Sequence, residues 1–71
     1  MKRYVIPPDF VLRNIRTLRK SRTDKGLSIA ELADETNVNN ARISSYEVWG
    51  QKPQQENYNK LAKYFGWSKW E

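Results

Sequence analysis

The stretch Gly26-Leu27-Ser28-Ile29-Ala30-Glu31-Leu32-Ala33-Asp34-Glu35-Thr36-Asn37-Val38-Asn39-Asn40-Ala41-Arg42-Ile43-Ser44-Ser45-Tyr46-Glu47 decides the fold. Gly26 suits the left-handed position just past a helix end, with Leu27 as the apolar contact after it. Ser28-Ile29-Ala30-Glu31 is a capping box: Ser at the N-cap and Glu three residues on each satisfy a backbone N–H near the other. A short helix over about 29–36 then carries Ile29, Leu32 and Ala33 on one side. Asn37 stops it, because its short amide tolerates positive φ better than any residue but glycine. With Asn39 as N-cap, another helix begins almost at once. Ile43 and Tyr46 form its apolar side, joined by Val38 from the turn. Asn40, Ala41, Arg42, Ser44 and Ser45 form the other side, short, polar and mostly uncharged.

Working outward, residues 1–8 read as an extended basic arm, since Pro7-Pro8 cannot enter a helix interior. Asp9 is then a candidate N-cap. Val11, Ile15 and Leu18 recur at helical spacing, flanked by Phe10 and Leu12, while Arg13, Arg16, Arg19 and Lys20 cover the rest of the surface. This first helix should end between Arg22 and Lys25. On the other side, Trp49–Pro53 is a loop punctuated by Gly50 and Pro53. A fourth helix over about 54–65 shows the clearest period, Tyr58, Leu61, Ala62 and Phe65, and Gly66 ends it. Ser68 could cap a fifth. The expected architecture is all-α, four to five helices, with residues 9–71 as one domain.

Composition narrows the chemistry. The 71 residues include no cysteine and no histidine. Disulfide frameworks, Cys/His metal sites and nucleophile systems that need an imidazole base are excluded. Asp34-Glu35 are adjacent and read as solvated surface, and no Gly-rich phosphate loop occurs, so no catalytic residue, metal or cofactor is implied. Thirteen Lys and Arg against eight Asp and Glu give +5, which points to a polyanion, nucleic acid before membrane surface, or else to a charge that only aids solubility. No targeting segment or apolar run of membrane-spanning length is visible, so a cytoplasmic protein is expected. Nine aromatics (three Trp, four Tyr, two Phe) favour a folded core over disorder.

Gly26-Leu27-Ser28, Leu32-Ala33, Asn37-Val38, Ile43, Tyr46-Glu47, Pro53 and Leu61-Ala62-Lys63-Tyr64-Phe65-Gly66 together resemble the phage repressor/Cro (Xre-type) helix-turn-helix family across residues 15–68. Each motif is weak alone, and their joint spacing is specific. The resemblance implies a lambda-repressor-like domain with its helix-turn-helix at about 29–47, Ala33 at the helix crossing and Ile43 beneath it. It also implies that Glu47 pairs with an arginine of the first helix, by position Arg19. Three departures stand out. Ile29 occupies a position where the family often has a phosphate-binding Gln, the segment between Arg19 and Gly26 is longer than usual, and Trp49 stands where Gly is common.

By the same resemblance, the third helix enters the DNA major groove. Asn40 would take adenine in bidentate fashion and Ala41 a thymine methyl; Ser45 would be a further base reader. Arg42 would read guanine or fall on a phosphate. Asn39 and Asn40 could instead be no more than capping residues, although one cap suffices. Phosphate anchors would come from Ser28, Asn39, Gln51 and Lys52. Lys2, Arg3 and Tyr4 of the arm could lie on the DNA backbone or in a minor groove, or fray, or Tyr4-Val5-Ile6 could pair with its copy across a dimer. Trp49 either lies along a sugar-phosphate edge or, the preferred reading, plugs the loop onto the core. Asn57 and Lys60 read as solvated surface. Trp67 is expected in the core, and Trp70 exposed at a dimer contact or as the seat of a further segment. The expected function is a sequence-specific double-stranded-DNA-binding regulator, a repressor on a pseudo-palindromic operator, working as a homodimer. The rival is a protein-interaction module of the same fold, antitoxin-like or adaptor. A membrane-surface role for the first helix would compete with the core for its apolar stripe.

Overall fold

The computed structural model describes residues 6–71, so Lys2, Arg3, Tyr4 and Val5 of the expected arm lie outside the described residues. Among those described, the chain is all-helical: α1 (Asp9–Arg16), α2 (Leu18–Asp24), α3 (Ile29–Thr36), α4 (Asn40–Ser44), a wider π-helical turn over Ser45–Trp49, and α5 (Gln55–Phe65). The expected first helix is thus two. At Thr17 both the backbone N–H and the hydroxyl donate to the Asn14 carbonyl, at 3.1 and 2.7 Å. A Thr hydroxyl competing for a nearby carbonyl disturbs the regular ladder. The apolar register survives the break, because Val11, Ile15 and Leu18 are all buried. Asp9 is not the N-cap. The extended Pro8 takes that place, its carbonyl accepting from Val11 and Leu12, and Asp9 falls in the first turn, where its charge faces the positive helix end.

The end of α2 matches its sequence signature. Gly26 has φ 71°, its N–H reaches Thr23 O, and the Leu27 N–H reaches back to Arg22 O at 3.2 Å, which is the Schellman pattern. The capping box opens α3 with both bonds present, Glu31 N–H to Ser28 Oγ at 3.1 Å and Ser28 N–H to Glu31 Oε1 at 2.9 Å. Asn37 ends α3 at φ 59° and ψ 30°. Two residues later Asn39 caps α4, its Oδ1 accepting from the Ala41 N–H at 2.8 Å.

Leu32 of α3, Val38 of the turn, Ile43 of α4 and Tyr46 of the π-helical turn converge with Val11, Ile15 and Leu18 on Tyr58, Leu61 and Ala62 of α5. Ala33 packs against this core from a half-buried position. Trp70 belongs to the core at 6% exposure, contrary to the expected exposed ring, and Ser68 caps no helix. Five residues cannot sustain a helix on their own. Instead the segment after Gly66 doubles back along α5. Tyr58 donates its hydroxyl proton to Ser68 O at 2.6 Å and accepts from Asn14 Nδ2 at 2.9 Å. The Asn59 amide brackets Trp70, accepting from its N–H and donating to its carbonyl, both at 2.8 Å. Trp67 packs half-buried, stacked on Tyr58 and Phe65 at centroid distances of 5.9 and 5.0 Å.

Candidate nucleic-acid interface

Two inward anchors decide which side of α4 is left for solvent. Ile43 and Tyr46 are buried, and Glu47 meets Arg22 in a bidentate pair at 2.8 and 2.9 Å. The partner is Arg22 of α2, not Arg19, which is exposed. Arg22 follows Leu18 by four residues and Ile15 by seven, so it continues the inward stripe that Arg19 lies to one side of. That spacing was readable in the sequence and is the signal that finds it. The Glu47 and Arg22 side chains are only 3% and 12% exposed. Hydrogen bonding to Glu47 holds the Arg22 guanidinium above its ordinary pKa; burial pulls the other way, and the Coulomb attraction of Glu47 adds to the rise. Arg22 also donates to Leu27 O at 2.7 Å. One side chain therefore ties the entry of α3 to the exit of α4.

With those contacts facing in, Asn39, Asn40, Ala41 and Arg42 are all exposed and Ser44 and Ser45 half-buried. The Asn39 carbonyl oxygen is committed to the cap, which leaves its amide N–H donors free to meet an anion. Asn40 carries no cap, so both its donor and its acceptor remain available for the paired edge of a base. Ser45 donates its hydroxyl to Ala41 O at 2.9 Å. It therefore presents lone pairs outward rather than a proton. A groove of about 500 Å³ runs between α3 and the start of α4, with Ala30, Ala33 and Val38 as apolar lining and Asn39 and Asn40 beside them. Asp34, an exposed acid, also lines it beside Asn39 and Asn40.

Ser28 sits at the start of α3. Of the four N–H groups that a helix start leaves unpaired, those of Ser28 and Glu31 are taken by the capping box. The amides of Ile29 and Ala30 are the two that remain for an incoming anion. Hydrogen bonds from the Ser28 backbone and side chain hold the Glu31 carboxyl below its ordinary pKa, so a negative charge stands at this helix start. Gln51 and Lys52 are exposed on the loop after the π-helical turn, and the Gln51 N–H donates to Ser45 O at 3.2 Å, fastening that loop to the start of the turn.

Three surface expectations are corrected. Trp49 does not plug the loop onto the core; it is 81% exposed, because Tyr46 and Glu47 already fill the inward positions. Asn57 is half-buried and donates to the Tyr46 hydroxyl at 3.2 Å. Lys60 reaches Asn37 O at 3.3 Å and pairs with Glu56 at 3.6 Å, so a cation of α5 sits at the C-terminus of α3, where the helix dipole favours it. No described helix is long and apolar enough to cross a membrane.

No curated protein and no solved structure gave a significant match to the chain. A family profile described as helix-turn-helix matches residues 15–69, which take in most of the core, Val11 and Trp70 excepted, and every described candidate for a DNA contact. On that match and the α3–turn–α4 geometry, the chain belongs to the Cro/C1-type helix-turn-helix family of DNA-binding regulators.

Proposed function

We propose that residues 9–71 form a sequence-specific repressor domain of the phage and bacterial type. It places α4 in the major groove of an operator and blocks transcription by occupancy. Asn40, Ala41 and Ser45 read base edges, Arg42 contacts a base or a phosphate, and Ser28, Asn39, Gln51 and Lys52 hold the backbone. The observation that carries this reading is the face Asn40–Arg42: exposed, polar, and with the Asn40 amide uncommitted because Asn39 supplies the cap. Binding is as a homodimer to two half-sites about one helical turn (~34 Å) apart.

In vitro selection from random duplex DNA tests the whole reading. A two-fold-symmetric consensus supports it. Recovery of no consensus, with binding that ignores sequence at every salt concentration, defeats it in favour of a protein-interaction role. A salt titration on the selected duplex should give a log–log slope of about −0.9 for each phosphate neutralised.

A further inference from the structure

Trp49 is the most exposed large apolar side chain among the described residues, at 81%, and Val48 beside it is 65% exposed. The other two tryptophans are both held against Tyr58; Trp49 has no aromatic partner among the described residues. Its outward position follows from the local helix geometry. Tyr46 is pinned in the core and Glu47 on Arg22. In an α-helix the residue three after Tyr46 would swing back toward the core side. The turn over Ser45–Trp49 is π-helical, and its wider i→i+5 winding rotates the chain less at each residue. Trp49 therefore stops short of the core, and Gly50, at φ 64°, turns the chain away before it can return.

We infer that Trp49 is a positioning contact on the DNA backbone, its indole resting on deoxyribose beside the phosphate held by Lys52. This rests on the DNA-binding reading of α4. Continuity supports it: Trp49 lies in the same helical run as the reading residues, four residues beyond Ser45. The exposed Gln51 and Lys52 follow it directly. Charge supports it as well. Glu47 is neutralised by Arg22, and no acid occurs between it and Glu56, which pairs with Lys60. An apolar ring next to an exposed ammonium, in a stretch free of uncompensated acid, suits the alternating apolar and anionic edge of a duplex strand. A ring on sugar reads no base and neutralises no phosphate, so it affects affinity without affecting sequence preference or salt slope.

The test compares Trp49→Ala, Trp49→Phe, Lys52→Ala and Asn40→Ala on a selected duplex and on an unrelated one. Trp49→Ala should lose about five- to ten-fold in affinity for both duplexes, in line with the scale of aromatic contacts to nucleic acid. Its salt slope and melting temperature should match the parent, and Trp49→Phe should recover most of the loss. Unchanged affinity in Trp49→Ala, while Asn40→Ala still shifts base preference, overturns this inference and leaves the DNA-binding reading intact. A parent protein that binds no duplex overturns both. If Trp49→Ala instead weakens self-association of the free protein in sedimentation, with affinity per dimer unchanged, the exposed pair belongs to a second copy and the inference also falls.

Discussion

Arg22 holds the Glu47 carboxylate with two nitrogens and the Leu27 carbonyl with a third. Removing one member of so enclosed a pair leaves the other charge without compensation, so Glu47→Ala should destabilise the domain by about 3–5 kcal/mol. Urea denaturation would read this directly, and a loss under ~1 kcal/mol would mean that the pair behaves like an exposed one. The outward residues should behave differently. Asn40→Ala should relax preference at one base pair, a discrimination worth ~1–3 kcal/mol. Lys52→Ala should weaken binding to all sequences about equally and lower the salt slope by about one unit. Affinities measured across a panel of duplexes separate the two patterns. At this scale the sequence was most legible where one residue serves its immediate neighbours. The Ser28–Glu31 box, the Asn39 cap and the left-handed Asn37 all stand as their types implied, because such bonds close within a few residues. Arg22 was legible in its spacing from Ile15 and Leu18, whereas the facing of Trp49 depends on what occupies the inward positions around it.

Among the elements, the turn between α3 and α4 fixes the angle at which the exposed side of α4 is presented. Asn37 holds a left-handed conformation that costs most L-residues roughly 1–2 kcal/mol. Asn37→Ala should therefore lower stability by about 1 kcal/mol, whereas Asn37→Gly should be close to neutral; paired thermal melts distinguish them. The C-terminal segment is the element that local pattern could not supply. It has no helical period and no strand partner, and its backbone is satisfied by side chains of α5, with Asn59 bracketing Trp70 and Gln55 donating to the same carbonyl at 2.9 Å. Trp70→Ala removes a buried ring that meets Tyr58 edge-on at 6.3 Å, and a loss of about 3–5 kcal/mol is expected. In a domain this small that approaches the entire stability, so the variant should be substantially unfolded already at room temperature by circular dichroism.

Over the whole molecule, the charge is unevenly spread. Residues 1–25 hold eight Lys and Arg against two acids, while residues 26–71 hold five against six. The surplus therefore lies in residues 1–25, and the stretch 39–47 contributes only Arg42 as a base. Such a distribution attracts and orients the domain on a polyanion without selecting a sequence. The absence of histidine leaves no side chain with an ordinary pKa between pH 5 and 8. Stability should accordingly be nearly flat across that range. Glu31, whose pKa is lowered in the fold, contributes stability above the ordinary carboxylate range and loses it as pH falls through its lowered value. Glu31→Gln should remove that part of the acid sensitivity in pH-dependent melts.

What the sequence determined by itself is the set of features that close over short range: the helix starts and stops of α3 and α4, the all-α class, the helix-turn-helix resemblance, and the absence of any imidazole or thiol. The tertiary structure alone decided the matters of facing. It split the first helix at Thr17, folded Trp70 inward along α5 and left Trp49 outside. The physical reason is that capping and periodicity depend on neighbours a few residues away. Which large side chain is buried depends instead on competition for a single core, and that is settled only when all the helices are packed around it.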